Sequence, residues 1–361
     1  MGRRARDWGV PFVGTPGRWN AITDVASVEV GHLTVDPTAE VPPERRHWVR
    51  TGVTVVLPRG RADLTPVFAG LHTLNGNGEL TGAAWLAESG RLEGPVGLTN
   101  TQSVGVVRDA VGDWMHARDR PGERWALPVV GETWDGYLND IWGHHVRPGH
   151  VERALEAARH APIAEGSVGA GTGTVCFGFK GGIGTASREV AAPIPARVGV
   201  LVQANHGLRT QLTLGGAAVG RALASGEEPG PEHGSIVTVI ATDAPLLPHQ
   251  LARLARRGPL GLARGGAISG DGSGDFFLAF STAPQAAGRE SPLRSAEFLE
   301  NDALDPLFTA TIESIEEVVA NALVAGTTTV GYRDHRVEGF PIERVVGEIR
   351  PARAGAEPTG F

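Results

Sequence analysis

A serine placed to become a chain terminus is the first chemistry this sequence offers. In Pro231-Glu-His-Gly-Ser-Ile-Val-Thr-Val-Ile-Ala-Thr-Asp-Ala-Pro245 a Gly234-Ser235 pair divides a loop-like stretch from a strand-like one. An ordinary serine hydroxyl is a weak nucleophile that needs a neighbouring base. If the peptide bond before Ser235 were cut, the freed α-amino group, which titrates near pH ~7.7–8.0 in model peptides, would supply that base within the same residue. Glycine at 234 fits such a cut, because a residue without Cβ tolerates strained geometry and close approach to the carbonyl under attack. The same residues also read as a plain loop entering a strand.

The flanking elements suit the first reading. The stretch at 225–234, Ser-Gly-Glu-Glu-Pro-Gly-Pro-Glu-His-Gly, is almost free of apolar residues and rich in turn formers, so it can be cut without opening a core. Residues 236–241 are β-branched and nearly continuous in hydrophobicity, as in a strand buried on both faces. Ser235 should therefore stand at the mouth of a rigid strand.

Further strand-like runs lie at 52–57, 96–100, 128–131, 175–179, 198–204 and 276–281. Helical periodicity appears at 81–88, 104–118, 151–159, 212–224, 247–256 and 306–325. Mixed elements of these lengths predict an α/β or α+β layered fold. The chain of 361 residues has no strong internal boundary, and 225–234 is the best linker candidate. Glycine clusters at 75–78, 169–173, 181–184 and 270–274 mark tight turns among the 51 glycines of the chain.

Composition narrows the function. A net charge of −7 with mixed signs along the chain gives no basic footprint for nucleic acid or an anionic membrane. The N-terminus is basic but lacks an apolar h-region, and no run approaches a membrane span, so the expectation is a cytoplasmic protein. Cys176 is the single cysteine and reads as a small buried hydrophobe. Lys180 is the single lysine, which reads as coding bias. Neither G-x-G-x-x-G nor a P-loop occurs, so no nucleotide cofactor is expected. His144, His145 and His150 lie close in sequence but lack H-E-x-x-H or a spaced acidic partner, and no metal site is expected there. His249, after Ser235, reads as helix-terminal polarity, whereas His206 beside Asn205 reads as a pocket-lining candidate.

Several segments, in this order, resemble the DmpA family of L-aminopeptidase D-Ala-esterase/amidases and β-peptidyl aminopeptidases. They are Asn75-Gly-Asn-Gly-Glu-Leu-Thr-Gly82, Thr99-Asn-Thr-Gln-Ser-Val-Gly105, Gly131-Glu-Thr-Trp-Asp-Gly-Tyr-Leu-Asn-Asp140 and Gly169-Ala-Gly-Thr-Gly173. Phe179-Lys-Gly-Gly-Ile-Gly-Thr-Ala-Ser-Arg188, Gln203-Ala-Asn205, the Ser235 strand and Asn321-Ala-Leu-Val-Ala-Gly326 continue the series. The likeness covers most of the chain and leaves out residues 1–30 and the tail after 350.

The resemblance implies an αββα sandwich resembling the N-terminal nucleophile hydrolases, one domain over 1–361 that cuts itself between Gly234 and Ser235. The products would be an α-subunit, 1–234, and a β-subunit, 235–361, which stay associated and assemble as a homo-oligomer, often a tetramer of processed heterodimers. Ser235 would be the nucleophile and Asn205 the oxyanion-hole amide. Ser273 and Asp275 would be the paired serine and acid that hydrogen-bond toward the nucleophile; taken alone, Gly272-Ser-Gly-Asp275 is an ordinary turn. Glu132 and Tyr137 fall on the substrate-side wall, where Glu132 could pair with a free amino terminus and the Tyr137 hydroxyl could donate toward the substrate carbonyl or the nucleophile; an exposed strand-end charge is the other reading of Glu132. The expected activity is removal of N-terminal residues from short peptides, amides or esters through an acyl-enzyme. Two alternatives stand beside it: hydrolysis of oligoamides or pantetheine-like amides with the same nucleophile, and a Gly-rich small-molecule-binding protein without catalysis.

Overall fold

The β-branched runs of the sequence build two stacked sheets. In the computed structural model, which describes residues 2–37, 41–118, 127–224, 234–284 and 295–349, the first strands are β1 (Glu29–Thr34), β2 (Gly52–Leu57), β3 (Val67–Gly76), β4 (Arg91–Leu92), β5 (Val96–Asn100) and β6 (Val129–Thr133). They are followed by a small hairpin, β7 (Val175–Cys176) and β8 (Phe179–Lys180), then by β9 (Gly182–Val190), β10 (Ala196–Asn205), β11 (Ser235–Thr242) and β12 (Gly274–Ser281). A last hairpin is β13 (Thr329–Val330) and β14 (Arg336–Val337). The loop expected at 225–234 lies outside the described residues except for Gly234.

One sheet has the order β1-β2-β5-β6 and the other β4-β3-β12-β11-β10-β9. Helices α2 (Val104–Arg118) and α3 (Pro148–Ala157) cover the outer face of the first, after a short α1 (Ala83–Ser89). Following α4 (Val219–Leu223), helices α5 (Pro248–Ala255), α6 (Gly258–Arg264) and α7 (Asp305–Ala325) cover the outer face of the second. The layering is α-β-β-α.

Strand alternation explains why the runs at 52–57 and 236–241 look uniformly apolar. In β2, Val53, Val55 and Leu57 face the α2–α3 layer while Val56 enters the core between the sheets. In β11, Ile236 and Ile240 face the α5–α7 layer while Val237, Val239 and Ala241 fill the inter-sheet core. Both faces are dry, and each fully buried Val or Ile contributes about 1.5–3 kcal/mol relative to exposure. β11 pairs antiparallel with β10 on one side and parallel with β12 on the other.

Two expected elements differ. The helix expected over 212–224 forms only at Val219–Leu223, because Gly215 and Gly216 take left-handed backbone angles in a turn that bridges Leu214 to Ala217. The strand expected over 175–179 folds back on itself as β7 and β8, with Phe177 at φ 49 and Gly178 at φ 67.

Candidate active site

Ser235 is the first residue of β11, 5 % exposed, with Asn205 opposite it on β10 and Gly274 opposite it on β12. The chain enters this strand across the end of β10. A Cβ on Gly234 would stand 2.4 Å from the Asn205 carbonyl oxygen and 2.5 Å from His206 Cα, so only glycine fits before the serine. The Gly274 N–H donates to Ser235 Oγ at 3.2 Å.

Asn205 closes β10, and both ends of its amide are held. Its Nδ2 donates to the Trp134 carbonyl at 2.9 Å, and its Oδ1 accepts from the Val175 N–H at 2.8 Å. On the other flank Ser273 Oγ donates to Asp275 Oδ1 at 2.7 Å, and both residues are at most 1 % exposed. The i and i+2 spacing puts the two side chains on one face of extended backbone, as their chemistry requires. The adjacent ends of β10, β11 and β12 thus gather the Asn205 amide, the Ser235 hydroxyl and the Ser273–Asp275 pair at one end of the sheet's central strands.

Glu132 comes from the other sheet, near the end of β6, and is buried at 2 % exposure instead of forming an exposed strand-end charge. Its Oε1 accepts from the Glu79 N–H at 2.9 Å and its Oε2 from the Thr101 hydroxyl. Burial pushes its carboxyl above the usual range despite those donors. A carboxylate offers about four lone-pair sites, so two donors leave it able to accept more. Tyr137 lies in the loop that follows β6, 39 % exposed, with its ring stacked on His335 at 4.4 Å. No hydrogen bond among the described residues joins it to Ser235.

The structure also gives Lys180, which the sequence left unexplained, a place beside the site. Lys180 is fully buried and donates from Nζ to the carbonyls of Gly171 and Gly181, each at 2.9 Å. It sits across the hairpin from Val175, whose N–H holds Asn205. Burial draws the Lys180 ammonium down to about 7 against the attraction of Asp135, and burial pushes the Asp135 carboxyl up to about 7. His206 is 3 % exposed, and burial lowers it to about 4, which leaves it a weaker base than an ordinary imidazole. His249 is exposed in the first turn of α5, beyond the end of β11 opposite to Ser235, and takes no part in the site. Among the described residues no group of three or more His, Cys, Asp or Glu could hold a metal ion, and no helix is long and apolar enough to cross a membrane.

Comparison with known proteins places this geometry. The pattern of peptidase family S58 matches residues 20–337. The β-peptidyl aminopeptidase BapA of Sphingosinicella microcystinivorans is 48% identical over 94% of this chain and 90% of its own length. Among solved structures, a Burkholderia sp. β-aminopeptidase superposes with a TM-score of 0.88 at 48% identity, covering 99% of this chain and 100% of its own. The L-aminopeptidase D-Ala-esterase/amidase of Ochrobactrum anthropi, described as a prototype serine aminopeptidase and a new variant of the Ntn hydrolase fold, superposes with a TM-score of 0.89 at 43% identity. That alignment covers 95% of this chain and 97% of the other.

Proposed function

We propose, from the premise that this chain belongs to peptidase family S58 and is a serine-type hydrolase of peptide and amide bonds, that it matures by cutting itself between Gly234 and Ser235. The mature enzyme is an aminopeptidase, which removes N-terminal residues from short peptides, amides or esters. The observation that carries this reading is the position of Ser235. It begins a buried central strand behind a position where only glycine fits, with Asn205 and the Ser273–Asp275 pair on the two adjacent strand ends.

In this mechanism Ser235 Oγ first attacks the Gly234 carbonyl, and the bond to the Ser235 nitrogen breaks. The resulting ester is hydrolysed by water, leaving Ser235 with a free α-amino group. That amine then accepts the hydroxyl proton when Oγ attacks a substrate carbonyl. Asn205 supplies an N–H toward the developing oxyanion, a donor of the kind worth about 2.7–4 kcal/mol in the transition state. The amine returns the proton to the leaving group, and water releases the acyl product. Ser273, held by Asp275, orients polar hydrogens around the nucleophile.

The substrate end supports an aminopeptidase. A free ammonium donating to Glu132 would offset the burial that raises this carboxyl, and the two existing donors leave lone pairs for it. A blocked amide carries no such charge and would leave Glu132 uncompensated. The names of the relatives, β-peptidyl aminopeptidase and L-aminopeptidase D-Ala-esterase/amidase, fit an amine-anchored substrate. We further propose that the two pieces stay together as one αββα body and that the processed protein self-associates.

Intact mass under denaturing conditions tests the reading. A chain of 361 residues cut after Gly234 yields pieces of 234 and 127 residues, the smaller beginning Ser-Ile-Val-Thr. Ser235→Ala should remain a single inactive chain. Full peptidase activity in that variant, or in wild-type protein that never shows the two pieces, overturns it.

A further inference from the structure

We propose that Asn75 is a positioning residue of this site, whose side-chain amide fixes the Asp275 carboxylate and the turn before it so that Ser273 is aimed at the nucleophile. This inference rests on the roles given above to Ser235, Ser273 and Asp275.

The geometry starts with an irregularity between β3 and β12. Gly274 opposes Gly76 and Asp275 opposes Asn75, and then the register slips so that Phe276 opposes Thr73. The slip leaves Leu74 as the extra residue of a bulge, and bulges re-aim the side chains next to them. Here the result is that Asn75 and Asp275 face each other. Asn75 Nδ2 donates to Asp275 Oδ2 at 3.1 Å and lies 2.8 Å from the Ser269 carbonyl and 3.2 Å from that of Gly270. Ser273 Oγ takes the other carboxylate oxygen, Oδ1.

The turn held by this amide is a shaped one. Ser269 has φ 53, the left-handed region that costs a residue with a Cβ. The Gly270 carbonyl in turn accepts the Ser273 N–H at 2.9 Å. Asn75 therefore fastens both ends of the segment that carries Ser273: the strained start at Ser269–Gly270 and the carboxylate at Asp275. A donor suits this place, since the three hydrogen-bond partners of Nδ2 are oxygens. An isosteric aspartate would set a carboxylate oxygen against three acceptors.

The test separates this role from packing. Asn75→Asp keeps shape and removes the donor; Asn75→Ser is smaller and provides a second variant if the first does not fold. We expect kcat to fall about tenfold or more, as for loss of a hydrogen bond to a charged group, with KM within about twofold and with slower appearance of the 127-residue piece. In an Asp275→Asn background, which itself lowers kcat, Asn75→Ser should then cost less than about twofold, because the two residues act as one unit. Asn77→Ala removes a different tie to the same turn, Nδ2 to the Gly272 carbonyl at 2.8 Å, and should keep kcat within about twofold. Wild-type turnover in the Asn75 variants, equal losses with and without Asp275, or an equal loss in Asn77→Ala overturns the proposal. Activity retained in Ser235→Ala would instead strike the functional reading on which it rests.

Discussion

Two buried polar clusters bridge the residues on either side of the Gly234–Ser235 junction, and they are built in opposite ways. At one, Glu317 of α7, 0% exposed at its side chain, is met by Arg6 Nε at 2.8 Å, by Arg188 at 2.8 Å and by Asn20 Nδ2 at 2.6 Å. All three partners precede Gly234. Every strong charge there is answered by the protein itself, and Glu313 adds a further carboxylate 3.5 Å from Arg188. At the other, around Ser235, Glu132 is a buried carboxyl whose hydrogen-bond partners among the described residues, the Glu79 N–H and the Thr101 hydroxyl, bring no cation. The contrast separates a cluster whose charges are met within the protein from one in which, in the proposed function, the substrate's ammonium supplies the missing charge.

The strongest way to break this comparison is Glu317→Ala. It leaves Arg188, whose side chain is 1% exposed, with Glu313 at 3.5 Å as its remaining carboxylate, and removing one partner of a buried pair costs about 3–5 kcal/mol. The melting temperature should fall sharply while kcat measured well below it stays within about twofold of wild type. A variant that melts normally but turns over slowly would put this cluster on the functional side instead.

Asn205→Ala should do the reverse. Loss of an oxyanion donor costs about 2.7–4 kcal/mol in the transition state, read as a fall in kcat of about two to three orders of magnitude. Stability should drop by a smaller amount, about 1–3 kcal/mol, for the Val175 N–H and Trp134 carbonyl left without this partner. Equal activity would remove Asn205 from the chemistry.

Glu132→Gln sharpens the contrast through pH. Because burial raises the Glu132 carboxyl, it takes up its proton at a higher pH than an ordinary glutamate, and its attraction for an ammonium is lost as pH falls through that raised value. KM for substrates with free amino ends should therefore rise on acidification before most carboxylates titrate. In the glutamine variant KM should be raised about tenfold, the loss of one charge-assisted hydrogen bond, and this pH dependence should flatten. An unchanged KM–pH curve would mean that Glu132 does not meet the amine.

The sequence revealed the parts of this architecture that are buried on both faces. Residues 52–57 and 96–100 are strands at those bounds, and 236–241 lies inside Ser235–Thr242, because double burial leaves a continuous apolar run. Strands β1, β3 and β9 were not legible. Gly31, His32, Asn75 and Arg188 interrupt their patterns, and each is explained only by what packs on it: Gly31 lies against the Ala154 backbone of α3, and Arg188 meets Glu317. Helix α6 was missed for the same reason, since Gly258 and Gly261 are poor helix formers whose lack of a side chain suits contact with Phe277 and Ile315. The hydrogen bond between Ser273 and Asp275 was expected from the family likeness, and their spacing suits it. Lys180 was not, because its significance is its burial across from Val175, and neither rarity nor neighbours in sequence encode that.

The strand order β4-β3-β12-β11-β10-β9 has a consequence for when the enzyme becomes active. The two strands that follow Gly234 lie between strands that precede it, so in the proposed reaction the scissile bond meets Asn205 on one side and Ser273 on the other only after the middle of the sheet has closed. A nascent or partly folded chain holds no free serine amine and no oxyanion amide beside the bond. In the proposed reaction cleavage then acts as a checkpoint on folding, and hydrolytic power is released only by molecules that have finished assembling.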